Sequence, residues 1–144
     1  MKNIKTILVE KINRSEWWHV PPSDPDAYKK RGKFLANTFL RADFYGRPND
    51  IPDKVAIANP IYGFSERAIL KKLFPNEHKK IYSRFAKPKK DWYEYRIDVD
   101  ARMARRAKEL GYDAIVLMDC NGRKYLEKNR KPPSIELNLL SYLQ

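Results

Sequence analysis

The sequence predicts a single α+β domain, with flanking helices around a mixed or mostly antiparallel sheet. Strand-like segments occur near both ends and in the middle of the chain, and helical segments separate them. The connections do not repeat the strand–helix–strand order of a parallel sheet. A chain of 144 residues, 42% of them hydrophobic, is suited to one domain spanning residues 1–144.

The first half of the chain predicts strands broken by proline- and glycine-rich turns. Residues 4–10 are rich in β-branched side chains, which favours a strand. The prolines after His19 hold that segment extended, and Gly32 is placed to end a short helix. The predicted elements are, in order, a strand at 4–10, an extended segment at 16–22, a helix ending at Gly32, a strand and short helix within 32–46, and a buried strand at 54–60.

The second half predicts more helix. Ser65 is placed to cap a helix that Pro75 ends. Met103, Ala107 and Leu110 have the spacing of one helix face, and Gly111 follows. The predicted elements are a helix at 65–74, a basic helix within 76–90, a helix from 98 or 100 to 110, a buried strand at 114–119, a basic turn or hairpin at 121–133, and a last strand at 134–140.

The chain is strongly basic, with 30 Lys and Arg against 18 acidic residues, a net charge of +12 and a pI near 9.8. This imbalance favours an anionic partner such as DNA or RNA, although a lysine-rich solvated surface has the same composition. The basic residues are clustered, and some alternate with aromatic residues. The candidate nucleic-acid contacts are Lys79, Lys80, Arg84, Lys89, Lys90, Arg123 and Lys124.

Several classes of protein lack support. No apolar run approaches the roughly 20 residues that cross a bilayer, and the single Cys120 forms no internal disulfide, so we expect a cytoplasmic protein without a membrane partner. No P-loop, GxGxxG or GxSxG motif is present. Cys120, His19 and His78 are too few and too scattered for a zinc site, and no metal is expected. Asp98 and Asp100 are acids of the kind that caps a helix, with a divalent metal as the alternative.

Three features remain as candidates for a site. His19 lies between tryptophans and prolines. The segment from Gly32 to Gly46 combines a glycine that permits close approach of the backbone with the side-chain donor Asn37. Glu136 lies inside the apolar strand SIELNLL, on the strand face opposite to Ile135 and Leu137.

Four segments, in this order, resemble the ADP-ribosyltransferase superfamily. GKFLANTFLRADFYG resembles the family segment in which a glycine precedes an aromatic strand and a short helix carries a small residue and a tyrosine. VAIANPIYG resembles the strand that ends in Asn-Pro. RAKELGYDAIVLMDCNG resembles the helix, Gly-Tyr-Asp and next strand, and SIELNLL the final strand with its glutamate. Together they span most of residues 17–140.

The resemblance implies roles for individual residues. His19 would hydrogen-bond the adenosine-side ribose of NAD, and Phe34 and Tyr45 would sandwich the nicotinamide ring, with Asn37 nearby. Glu136 would stabilise the oxocarbenium-like transition state. Phe34 stands where the histidine-type branch usually has tyrosine. Ser134 stands where arginine-modifying members have an acid, which argues against arginine as the acceptor.

The expected function is therefore NAD-dependent ADP-ribosyl transfer, with nucleic acid as a candidate acceptor because of the basic charge. RNA 2′-phosphotransferase chemistry is a variant within this class. One alternative is a non-catalytic nucleic-acid-binding module whose aromatic residues stack bases while Lys and Arg hold phosphates. Another is a protein that keeps the fold, has lost NAD and acts through protein interactions.

Overall fold

The computed structural model describes residues 3–87 and 90–144. These residues form seven α-helices, five β-strands and a final 3-10 helix at Leu140–Tyr142. The helices are α1 Ile4–Asn13, α2 Ala27–Arg31, α3 Phe39–Asp43, α4 Glu66–Leu73, α5 His78–Ala86, α6 Trp92–Glu109 and α7 Gly122–Glu127. The strands are β1 Trp18–His19, β2 Lys33–Ala36, β3 Pro60–Gly63, β4 Ala114–Met118 and β5 Ile135–Leu139.

The strands form one mixed sheet in the order β1-β2-β5-β4-β3. Within the described residues, only the β3–β4 pair is parallel, and the other three pairs are antiparallel. The predicted α+β class with a mixed, mostly antiparallel sheet is confirmed. No helix in the described part of the chain has the length and apolar character needed to span a membrane.

The sheet separates two hydrophobic layers. On one face, α1 and α7 pack on the row formed by Leu35, Leu137 and Val116. On the other face, α4, α5 and α6 pack on Ile61 and Ile115. Side chains alternate between the faces along each strand, so every second residue of β2 and β5 faces the α6 side.

The predicted strand at residues 4–10 is wrong, because these residues form α1. The side chain of Asn3 accepts a hydrogen bond from the Thr6 amide at 2.8 Å and caps the helix. Ile7, Leu8 and Ile12 are buried on one helix face. This spacing outweighs the β preference of the branched side chains, since packing decides between the two.

The predicted strand at residues 54–60 is also wrong. Apart from an isolated bridge between Asp53 and Trp17, this segment is a loop, and the strand begins only at Pro60. The side chain of Asn13 hydrogen-bonds both the amide and the carbonyl of Ile57. The carboxylate of Asp113 accepts the next two amides at 2.6 and 3.0 Å. These side chains satisfy the backbone groups that a strand partner would otherwise satisfy.

Two predictions in the second half need correction, one for a helix and one for a turn. Helix α6 begins at Trp92, so Asp98 and Asp100 lie in its interior and cap nothing. The predicted turn or hairpin at 121–133 contains helix α7 instead. The helix capped by Ser65, the strands β4 and β5, and the helix stop at Gly111, whose φ is +94°, agree with the sequence.

Candidate functional site

Glu136 and Phe34 lie on the sheet face that is turned toward α6. In the β2–β5 register, Ala36 is opposite Glu136 and Phe34 is opposite Asn138. Directly opposed residues of an antiparallel pair point to the same face. Glu136 is exposed in an otherwise largely apolar strand, and the relative solvent exposure of Phe34 is 43%. Both side chains are therefore accessible to a ligand from one side of the sheet.

Helix α3 brings Tyr45 to Glu136 across 91 residues of sequence. The Thr38 hydroxyl caps α3 by accepting the Arg41 amide, and buried Ala42 fixes the helix on the sheet. The Tyr45 hydroxyl donates a hydrogen bond of 2.7 Å to Oε1 of Glu136. Partial burial of the Tyr45 hydroxyl, followed by the hydrogen bond and the charge of Glu136, raises the pKa of Tyr45 to about 12. The phenol is thus a neutral donor at physiological pH.

Two recesses meet at Glu136. The larger has a volume of about 470 Å³ and opens beside α3; it is lined by Ala36, Thr38, Leu40, Arg41, Phe44, Tyr45, Ser134 and Glu136. The smaller, of about 50 Å³, lies between the sheet and α6 and includes Phe34 and Asn138. Tyr45 borders the first and Phe34 the second, so the two rings do not line one slot in this conformation. The two recesses share the Glu136 carboxylate, and we call them together the Glu136 cleft.

An ion cluster supports the floor of the smaller recess. The guanidinium of Arg96 on α6 contacts both carboxylate oxygens of Glu66 and, at 2.9 Å, one oxygen of Asp100. Burial would lower the pKa of Arg96, but the hydrogen bonds and charges of these two acids raise it. Burial also raises the pKa of Asp100 in spite of the Arg96 charge. The cluster fixes α6 to the start of α4.

Only the Arg96–Asp100 part of this cluster could be predicted from the sequence. Arg96 and Asp100 are four residues apart on one helix, which is a spacing typical of an ion pair. Glu66 is 30 positions away, and its first-turn position indicates helix capping as readily as an ion pair.

His19 lies away from the two recesses. In the sheet His19 is opposite Leu35, whereas Glu136 is opposite the next residue of β2, Ala36. Because neighbouring residues of a strand point to opposite faces, His19 lies on the face opposite to Glu136. The side chain is 4% exposed, its Nδ1 is 2.7 Å from the Phe34 carbonyl oxygen, and its Nε2 is 2.8 Å from the Tyr28 hydroxyl. The carbonyl requires Nδ1–H, so Tyr28 donates to Nε2. His19 joins β1 to β2 and α2, and the expectation that it lines the Glu136 cleft is not supported.

Asn37 is also occupied within the fold. Its side-chain amide donates to the Pro133 carbonyl at 2.7 Å, and its side-chain oxygen accepts the Ile135 amide at 3.4 Å. These bonds join the turn after β2 to the start of β5. Asn37 therefore holds the two strands that carry Phe34 and Glu136, and does not line either recess.

Gly32 confirms the close backbone approach expected of it. Its φ is +84°, and a Cβ atom there would overlap the Asn138 side chain and lie 2.6 Å from the Leu139 carbonyl oxygen. Asn138 is 4% exposed and donates to the Arg31 carbonyl at 2.9 Å. The glycine thus allows α2 to turn directly into β2 beside the smaller recess.

The predicted nucleic-acid contacts are spread over different elements. Lys79 and Lys80 are exposed on α5, beside Tyr82, which is 39% exposed. Arg84 is committed to an ion pair of 2.6 Å with Asp91 and lies 3.8 Å from the Tyr95 ring centroid. Lys90 is exposed, Arg123 and Lys124 lie on α7, and Lys89 is outside the described residues. The structure therefore does not bring this set together.

The chain matches no protein-family model, and neither a curated protein nor a solved structure is significantly similar to it. Within residues 3–87 and 90–144, no group of three or more His, Cys, Asp or Glu side chains is arranged to hold a metal ion.

Proposed function

We propose that this protein transfers ADP-ribose from NAD, with Glu136 as the catalytic residue. The observation that carries the proposal is the 2.7 Å hydrogen bond from Tyr45 to Glu136, on a sheet face that also presents Phe34. Three residues named by the ADP-ribosyltransferase resemblance thus line the two recesses: Glu136, which borders both, Tyr45 in the larger and Phe34 in the smaller. The fourth, His19, does not, so any contact to the adenosine side comes from other residues.

The larger recess fits part of such a substrate. Its volume of about 470 Å³ lies within the range of small-molecule sites, about 300–1,000 Å³. Its walls combine aromatic rings, Phe44 and Tyr45, with the polar side chains of Arg41 and Glu136. A flat pyridine ring is suited to the aromatic wall, and a phosphate to Arg41.

The chemistry that NAD supplies is a glycosidic bond whose electron pair leaves with nicotinamide. Positive charge then develops on the ribose, and a fixed carboxylate stabilises it electrostatically. Tyr45 donates to Oε1 of Glu136, which leaves Oε2 for a ribose hydroxyl. Tyr45 thereby holds the carboxylate in one orientation, and attack by an acceptor oxygen, with loss of its proton to solvent, completes the transfer.

A thermal-shift titration with NAD tests the binding step. We expect NAD to raise the Tm of the wild type, because a ligand that binds only the folded state stabilises it. Glu136→Gln should keep the fold and most of the shift. Glu127→Gln, the same change at an exposed site on α7, is the control. No shift for any of the three proteins would contradict the proposal.

A non-catalytic nucleic-acid-binding module remains the second candidate, favoured by the exposed Lys79 and Lys80 beside the exposed ring of Tyr82 on α5. It predicts salt-sensitive binding of DNA or RNA that charge reversal at these two lysines weakens and Glu136→Gln does not change. Absence of both NAD and nucleic-acid binding would favour a protein that acts through protein interactions.

A further inference from the structure

Three basic residues that are far apart in sequence meet at the β3 edge of the sheet. Lys5 comes from α1, Lys72 from α4 and Arg123 from α7. Strand β3 is the last strand of the sheet, so one of its edges has no strand partner in residues 3–87 and 90–144. We call these three residues the β3-edge cations.

Each β3-edge cation is held over an aromatic ring. Lys72 Nζ lies 4.8 Å from the ring centroid of Tyr62, and the Arg123 guanidinium 4.8 Å from that of Phe64. The Tyr62 and Phe64 rings are themselves edge to face, with centroids 6.1 Å apart. Two cations are thus fixed on adjacent rings.

Backbone and side-chain oxygens complete the positioning. Lys72 Nζ donates to the Tyr62 carbonyl at 2.7 Å. Lys5 Nζ donates to Oδ1 of Asn59 at 2.5 Å and lies 5.6 Å from the ring centroid of Tyr112. These contacts reduce the rotamer freedom that an anion would otherwise have to remove on binding.

The helix that carries Arg123 begins at a residue without a side chain. A Cβ atom at Gly122 would lie 3.1 Å from the Phe64 ring. The ring therefore packs directly against the start of α7, and Arg123 follows immediately above it.

The positive charge at this edge is not neutralised within the described chain. None of the three cations forms an ion pair with a carboxylate of residues 3–87 or 90–144 within 4.0 Å. The carboxylate of Asp113 accepts the amides of Ala58 and Asn59, the latter being the residue whose side chain accepts from Lys5. Burial, followed by the charges of Arg123 and Lys5, lowers the pKa of Lys72, which agrees with mutual repulsion.

We propose that the β3-edge cations bind the phosphates of single-stranded nucleic acid. The inference shares its nucleic-acid partner with the second candidate function and does not require catalysis by Glu136. Tyr62 pairs with Val116 and therefore faces the α1 side of the sheet, opposite to the face of Glu136. The site is thus separate from the cleft.

The chemistry of this edge favours one strand of nucleic acid. Partly exposed aromatic rings between the cations are typical of surfaces that hold unpaired bases and their phosphates together. The net charge of +12 adds long-range attraction for the same polymer.

The test is fluorescence anisotropy with a labelled single-stranded oligonucleotide, measured over a range of salt concentrations. The variant is Lys5→Gln/Lys72→Gln/Arg123→Gln. A plot of log K against log salt concentration has a negative slope, and we expect this slope to be shallower by about 2 in the variant. Each lost phosphate contact accounts for about 0.7 of that difference. Over the tenfold range from 1 M to 0.1 M salt, this difference in slope corresponds to binding by the variant that is about 100-fold weaker at 0.1 M salt.

The matched control removes three charges elsewhere, with Lys30→Gln/Arg105→Gln/Lys128→Gln. These residues are exposed on α2, on α6 and after α7. Equal losses in the two triple variants would mean diffuse attraction and overturn the proposal, as would no binding by the wild type. Tighter binding of duplex than of single strand would overturn the single-strand assignment.

Two further measurements separate this proposal from the NAD reaction. Circular dichroism and the Tm identify a triple variant that fails to fold. In that case Gly122→Ala is used in place of the triple variant. The added methyl group presses on the Phe64 ring under Arg123, so this substitution should also weaken oligonucleotide binding. Glu136→Gln should leave oligonucleotide binding unchanged, and the β3-edge variant should leave the NAD-induced thermal shift unchanged.

Discussion

The most informative side-chain change short of removing the carboxylate is Tyr45→Phe. The substitution deletes only the hydroxyl that donates 2.7 Å to Glu136 and keeps the ring. A hydrogen bond to a charged group is worth about 1.5–3 kcal/mol, and because Tyr45 is 65% exposed we take the lower end. At about 1.4 kcal/mol for each factor of ten, we expect nicotinamide release from NAD to slow about 10-fold.

The assay is the initial rate of nicotinamide release, with Tyr93→Phe as the control. Tyr93 is also an exposed tyrosine, at 69%, but it belongs to α6 and lines neither recess. We expect the control to keep the wild-type rate and Tm, and Tyr45→Phe to remain folded with a Tm lower by about 3–6 °C, because a loss of about 1.5 kcal/mol shifts the Tm by that amount. An unchanged rate in Tyr45→Phe would refute the positioning role of this hydroxyl.

The remaining predictions concern the supports of the cleft. Burial lowers the pKa of His19 in the folded state, so as the pH falls the unfolded chain takes up a proton at this histidine before the folded chain does. We therefore expect the free energy of unfolding to keep its full value above about pH 6.5 and to decrease as the pH falls below it. Thermal melts from pH 5 to 7.5 should show this slope in the wild type and lose it in His19→Gln. Gly32→Ala should cost about 2–5 kcal/mol, from the positive φ and the overlap with Asn138, as measured by urea unfolding, and a loss below about 1 kcal/mol would contradict this packing.

The sequence predicts the second half of the fold better than the first. Strand β4 is a continuous apolar run, β5 alternates apolar with polar residues, and Ser65 and Gly111 are clear helix boundaries. Residues 4–10 contain branched side chains at helical spacing, so composition and periodicity disagree there. The helix forms because it covers one face of the sheet, and this is a tertiary effect that a local pattern does not contain.

The candidate site was only partly predictable for a related reason. The strand–turn–helix from β2 to α3 is local, so Phe34 and Tyr45 could be placed from sequence. His19 depends on the register of a two-residue strand, and a shift of one residue moves a side chain to the other face. The β3-edge cations come from three separate elements, and no sequence interval joins them.

The central claim is tested most directly by the rate of nicotinamide release from NAD in Glu136→Gln. The substitution keeps the size of the side chain and removes the negative charge beside Tyr45. We expect the rate to fall on the order of 100-fold or more below the wild type, because electrostatic stabilisation of the transition state is lost. Glu127→Gln should retain the wild-type rate. Equal rates in the wild type and Glu136→Gln would contradict the assignment of Glu136 as the catalytic residue.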